Sequence, residues 1–306
     1  MMIALRHLTA PASAQIRRWV LSAFPREHDG IDYSNPAGDQ GLFGPDSATW
    51  RVHADFPGML SGGLCALMLQ VLHPLALAGV WDHSNFRGDL VGRLRRTTAF
   101  VAGTTYASRA DAEQLIARVA RIHAQVRGKA ADGRDYSADD PQLLTWVHVT
   151  EAFGFLQGYR RYARVAMPYD ASDRYYGEVK RVAERLGARE VPASESEVFE
   201  YFADVHGTLA FDQRSREVLA VLARIRLPVP AAGLSRNLFL DAGAALLPEW
   251  AATMLGRTPL QRARAKLAAG VLHALSPMFR AALPDGVAPR ACARVGAPPE
   301  VLTRWR

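Results

Sequence analysis

The chain has 306 residues, 49% of them hydrophobic and 22% charged, a balance that suits a folded globular protein and excludes a disordered one. Its formal charge of +7 rests on dispersed arginines, with Lys129, Lys180 and Lys266 as the lysines. No basic stripe with interleaved aromatics forms, which argues against a nucleic-acid partner. Two cysteines, Cys65 and Cys292, give neither a disulfide framework nor a paired-cysteine zinc motif, and they fit a reducing compartment.

Helical periodicity dominates, and no alternating strand pattern exceeds a few residues. An amphipathic helix is predicted from about Ser13 to Ala23, followed by a loop rich in Gly, Pro, Asp and Asn from Gly30 to Ser47. Phe56 to Trp81 is apolar almost throughout and long enough to span a bilayer. Gln70, His73 and Pro74 interrupt it with groups that a membrane interior penalises. A buried core helix ending near Pro74 is therefore expected. The N-terminus lacks the order of a secretory signal, so a soluble, cytoplasmic protein without stable membrane insertion is expected.

Arg93, Arg96 and Thr97 come next, at spacings that put them on one helix face. Their grouping suits either an anion or bound oxygen, or a solvated arginine face. Ser108 and Asp111 open a helix predicted to run through Arg127, with Gly128 as its stop. On that helix His123 shares a face with Ile116, Val119, Ala120 and Val126. Two readings stand: a core histidine satisfied by a carbonyl, or an axial ligand to haem iron with Arg127, one turn on, beside a propionate. His73 is either a helix stop or a polar distal group at the end of an apolar channel, with the Asp82–Phe86 turn after it.

Asp140-Pro141 starts a helix reaching about Arg164. It carries Trp146 as core and His148 as a second buried ligand or an anchor. His148 with Glu151 invites a di-iron site, but such sites want the glutamate three residues before the histidine, and no histidine here has one. Further helices are predicted over Ser172–Leu186, from Ser194 to about Val205, over Asp212–Ile225 up to Pro228 and Pro230, and from Thr258 to Leu275. A short helix at Ser276-Pro277 and an irregular tail past Pro284 complete the chain. No nucleophile elbow, phosphate loop or dinucleotide fingerprint is present. The expectation is one all-α globular domain.

Taken in order, these segments resemble the MpaB-like and rubber oxygenase catalytic domain family, which includes the latex clearing proteins. The resemblance rests on Gln70-Val71-Leu72-His73-Pro74, Val80 through Phe86, Gly92-Arg93-Leu94-x-Arg96-Thr97 and Ile122-His123-x-x-Val126-x-Gly128. It continues through Tyr136 to Trp146-Val147-His148, with a weaker echo at Leu247-Pro248 and Leu255-Gly256. It implies an all-helical fold with a buried pocket for haem b, His123 as the iron ligand, and Arg93, Arg96 and Thr97 as the distal set. His73, Arg127 and His148 are the further candidates for holding the cofactor. The latex clearing proteins have a lysine where this chain has Arg96, and Asp82 is the candidate for the carboxylate base of that family. Neither their secretion signal nor the membrane anchor of the fungal member is expected here.

The resemblance implies a catalytic domain over residues 45–260, preceded by a helix and loop over 1–44 and followed by packed helices and tail over 261–306. The function it implies is a haem-dependent oxygenase acting with O2 on an apolar small molecule, unsaturated or isoprenoid-like. The alternatives are a non-catalytic helical protein that holds a lipid-like molecule with its arginines as anion clamps, and a membrane-surface protein.

Overall fold

Most helix starts in this computed structural model are made by the side chain just ahead of them. The structure describes residues 30–225 and 232–305 together with Gln15, Arg17 and Arg18. The helix expected over Ser13–Ala23 lies outside the described residues but for those three, as do Pro228 and Pro230. Ser47 caps α1 (Ala48–Ala54), and Asp55 caps α2 (Phe56–Gln70), whose first turn holds Pro57. His73 and Pro74 start α3 (Pro74–His83), Asp89 caps α4 (Leu90–Tyr106), and Ser108 caps α5 (Arg109–His123). In each case the side chain accepts a backbone N–H that the helix itself cannot satisfy.

A hairpin follows, β1 (Arg127–Lys129) antiparallel to β2 (Asp135–Ser137), with Gly128 opposite Tyr136. Asp140 and Pro141 then start α6 (Pro141–Tyr162). After it come α7 (Ala171–Leu186), α8 (Glu195–Val205), α9 (Gln213–Ala223), α10 (Ala232–Ala244) and α11 (Glu249–Met254). The chain closes with α12 (Pro259–Ala282), α13 (Val287–Arg294) and a 3-10 turn over Pro299–Thr303. The all-α expectation holds.

The centre of the molecule is the crossing of α2 and α6. Gly58 and Gly62 on α2 face Gly158 and Gly154 on α6, and a Cβ on any of the four would overlap the opposing backbone. Each pair is spaced by four, so the small residues lie on one helix face and let the two backbones touch. Gly243 of α10 meets α2 from another side in the same way. Trp146, Leu69, Leu72, Leu156 and Tyr162 fill the core around this crossing. An all-round apolar α2 is what such an enclosed helix requires. Among the described residues no single helix is long and apolar enough to cross a membrane, and α1 with α2 reaches the length only across a 91° bend.

Three expectations are corrected and one is met. The apolar run divides near Pro74 as expected: α2 ends at Gln70 and the chain turns at Val71–His73 before α3. The helix expected to reach Arg127 ends at His123, where the backbone turns into β1; Gly128 is a strand residue with the Tyr136 ring lying where its Cβ would be. The expected break at Ser276-Pro277 is absent: α12 runs through Pro277, and Ser276 Oγ donates to the Leu272 carbonyl at 2.7 Å. The tail past Pro284 is ordered rather than irregular, because two buried arginines hold it. Arg294 donates to the carbonyls of Asp39, Tyr33 and Ala107 at 2.8, 3.0 and 3.2 Å. Arg51 donates to the carbonyls of Arg304 and Ser47, both at 2.6 Å.

Candidate active site

One side of the α2–α6 pair packs against nothing solid. There α3, α4, α5, α7 and α9 arch over the two helices and leave a cavity of about 580 Å3, a volume within the usual range for small-molecule sites. Its wall is mostly aliphatic and aromatic, with Leu67, Val119, Val126, Val147, Phe155 and Leu219 prominent. The polar side chains on it are few: His53, Gln70, Arg93, His123, His148, Glu151 and Tyr175 carry most of the chemistry. The cavity opens beside His83, Asn85, Arg96, Thr97 and Ile122, which line it and are also exposed to solvent.

His123 reaches this wall from the last turn of α5. Its Nδ1 is buried and has no hydrogen-bond partner. Burial lowers its pKa, against a weaker opposing pull from Asp139, so the ring is held neutral. A buried neutral imidazole nitrogen with nothing to bond is an incomplete structure in chemical terms. The ring thus keeps one nitrogen unused inside the protein, while the residue itself lines the cavity.

Arg93 and Glu151 approach the cavity from α4 and α6. Arg93 NH1 donates to Ser84 Oγ at 3.2 Å, and that is its hydrogen bond within the protein. Burial lowers the guanidinium pKa, and neighbouring Arg96 adds to that effect. Glu151 is enclosed by protein and open only to the cavity; burial raises its pKa to about 7, against hydrogen bonding from Gln70 and the charge of Arg93. Gln70 is itself held by Thr150 Oγ1 at 3.2 Å. His148, one turn before Glu151, is pushed down to about 4 by burial.

His53 sits deeper, and its tautomer follows from its partners. Thr105 Oγ1 gives its one proton to the Val101 carbonyl at 2.6 Å, so it accepts from His53 Nδ1–H at 2.8 Å. The remaining Nε2 accepts from Tyr175 OH at 3.0 Å. Burial lowers this histidine to about 3, so it stays neutral at physiological pH.

The structure thus brings Arg93, Arg96, Thr97, His123 and His148 to one cavity. Arg96 stands at the mouth, exposed, 3.6 Å from Asp89. Thr97 Oγ1, also exposed, donates to the Arg93 carbonyl at 3.3 Å. Three other candidates lie off the wall. His73 is buried as the cap of α3, its Nδ1 accepting from Ala76 N at 3.4 Å and its ring against Trp146. Asp82 sits behind Tyr136, whose hydroxyl donates to Asp82 Oδ2 at 2.6 Å. Arg127, displaced by the early end of α5, is exposed on β1 and lies 3.7 Å from Asp139. His53 and Tyr175 are not among the expected site residues; Glu151 enters the sequence reading only through the di-iron pairing that is set aside, and Gln70 only as part of a motif. A glutamate and a glutamine within otherwise apolar helical stretches were the available signal.

The model of the family described as "ER-bound oxygenase mpaB/B'/Rubber oxygenase, catalytic domain" matches residues 50–281. The chain belongs to this family. It is accordingly an oxygenase catalytic domain, an oxidoreductase that uses O2 on a small molecule. The match runs from within α1 to the last turn of α12, so the helices that build the cavity fall inside the oxygenase domain, and Phe43 adds to the lining from just before it. Searches of curated proteins and of solved structures return no match.

Proposed function

We propose that this oxygenase domain depends on haem b, whose iron His123 would hold, and acts on a largely apolar small molecule. The observation that carries the reading is His123, a neutral imidazole on the wall of a mostly apolar cavity, whose Nδ1 has no hydrogen-bond partner. Among the described residues no three His, Cys, Asp or Glu side chains converge as a metal-only centre. A porphyrin iron would need as few as one side chain from the protein, and His123 would supply it. When bound, the group supplies the activation of O2, chemistry that no side chain here performs alone.

The chain's own residues do the rest. Aliphatic walls exclude water, so a fixed charge inside acts at nearly full strength. Arg93 puts a positive charge there, next to negative charge as it develops. Arg96 and Thr97 stand one turn on, at the mouth. Glu151 holds or releases a proton near neutrality, Gln70 orients its carboxyl group, and His148 remains neutral beside it. The reading extends to the domain borders: the catalytic unit begins near residue 45, and the helices after residue 260 pack on it. It extends also to location, with the protein working in the cytoplasm.

The test is spectroscopic. Purified from haem-replete cells, the protein is expected to show a Soret band and about one haem per chain. His123→Ala is expected to shift or abolish the band while far-ultraviolet circular dichroism stays unchanged. An identical spectrum in the variant removes His123 as ligand, and colourless wild-type protein removes the cofactor.

A further inference from the structure

Arg93 carries more hydrogen-bond donors than the role proposed above uses. A guanidinium carries five N–H donors and remains charged at any ordinary pH. Enclosed cations are normally paired with a carboxylate, because removing charge from water is costly. Here the hydrogen-bond partner is a neutral hydroxyl, Ser84 Oγ. Among the described residues no carboxylate forms an ion pair with Arg93; Glu151 acts on it electrostatically, and its own enclosure raises its pKa to about 7, so it offsets that charge only in part at neutral pH. The other ionisable groups on the wall cannot serve: His53 and His148 are neutral and Arg96 is a like charge. The cavity therefore keeps a positive charge with donors to spare at one end of a long apolar wall, next to an open mouth.

Resting on the reading that this cavity is the substrate site, we propose that its substrate is an amphipathic anion. Its oxyanion end, a carboxylate or a phosphate, docks on the Arg93 guanidinium, and its apolar body lies along the aliphatic wall. The planar fork suits an oxyanion bidentately, and a charge-assisted hydrogen bond in a dry site is roughly twice as strong as a neutral one. Arg96, tied to Asp89 at 3.6 Å at the exposed rim, can swing to meet the same anion on entry. One ligand chemistry has two sources here, since a porphyrin also carries carboxylates.

Calorimetric titration with decanoate and with 1-decanol separates these cases. Wild-type protein is expected to bind decanoate at least about tenfold more tightly than decanol. That preference is expected to vanish in Arg93→Met and to persist in part in Arg93→Lys, with thermal melts confirming that both variants fold. Equal binding of acid and alcohol by wild type overturns the proposal, and so does a preference that survives Arg93→Met. Repeating the titration on haem-loaded protein tests the source: a retained preference assigns the anion to the substrate, whereas a lost one assigns it to the macrocycle and overturns the proposal. Protein that takes up no haem ends the cofactor reading alone, and the acid-versus-alcohol comparison on that protein still decides this one.

Discussion

Arg294 shows how much one side chain can hold in this fold. The residue is 4% exposed, and its guanidinium satisfies three carbonyls from separate parts of the chain: Tyr33, Asp39 and Ala107. Arg294→Met keeps the aliphatic bulk and leaves those acceptors without donors in a site closed to water. The expected cost is about 3 kcal/mol or more. It is measurable as a fall in the thermal midpoint and as new proteolytic cleavage between Gly30 and Ser47. A variant as stable and as protease-resistant as wild type would show that water replaces the lost donors. Glu151 makes the opposite case, since its enclosure works against stability when it ionises. If turnover depends on its proton, the rate will change through about pH 7. Glu151→Gln would then flatten the profile, and a profile with the same inflection in that variant assigns the ionisation elsewhere.

At the scale of elements, the α2–α6 crossing is the most exposed to a single change. Gly154→Ala puts a methyl group into the Gly62 carbonyl, and both sides of the clash are backbone, so neither can rotate away. Overpacking of ordinary cores costs about 1–3 kcal/mol, and the upper end or more is expected here. Equilibrium denaturation measures it; a loss under about 0.5 kcal/mol means the helices can part without penalty. Helix starts at Asp140, Ser108, Ser194 and Thr258 were legible in the sequence because a cap is a local contract between neighbours. The end of α5 was not, because the periodicity of Val126 continues past it while the hairpin pairing that stops it involves Tyr136, ten residues away. The same division applies to the site. Arg93 and His123 could be singled out by spacing and by resemblance. Glu151 and His53 acquire their character only from helices that fold over them, and no local pattern records that enclosure.

For the whole molecule, burial of titratable groups sets the response to acid. His53, His73 and His148 have native pKa values near 3, 4 and 4 against an ordinary 6.5, and His123 is shifted in the same direction. The unfolded chain takes up these protons first, so stability is full above about pH 6.5 and falls as the pH drops toward 4. Glu151 acts oppositely: its native pKa near 7 against 4.5 favours the folded state in acid, and that contribution is lost as the pH rises from 4.5 to 7. Between these limits three histidines oppose one glutamate, so cofactor-free protein should take up about one to two protons on unfolding. Urea midpoints collected across pH 4.5–6.5 give that slope. Glu151→Gln should steepen it by about one proton and stabilise the protein above pH 7; a shallower slope in the variant contradicts the assignment.

The bare contact between α2 and α6 has a mechanical corollary. Two helices whose backbones touch cannot slide or roll on each other without opening a void, so that side of the cavity is a fixed jaw. Across from it, α5 packs on α4 and α7 and presents Ile122 to solvent at the opening. Room for an incoming molecule must therefore come from the α4–α5 side, a hinged jaw that yields while its counterpart stays put. Hydrogen exchange should rank them so, with amides of α2 and α6 the slowest in the molecule and those of α5 among the first helical amides to exchange.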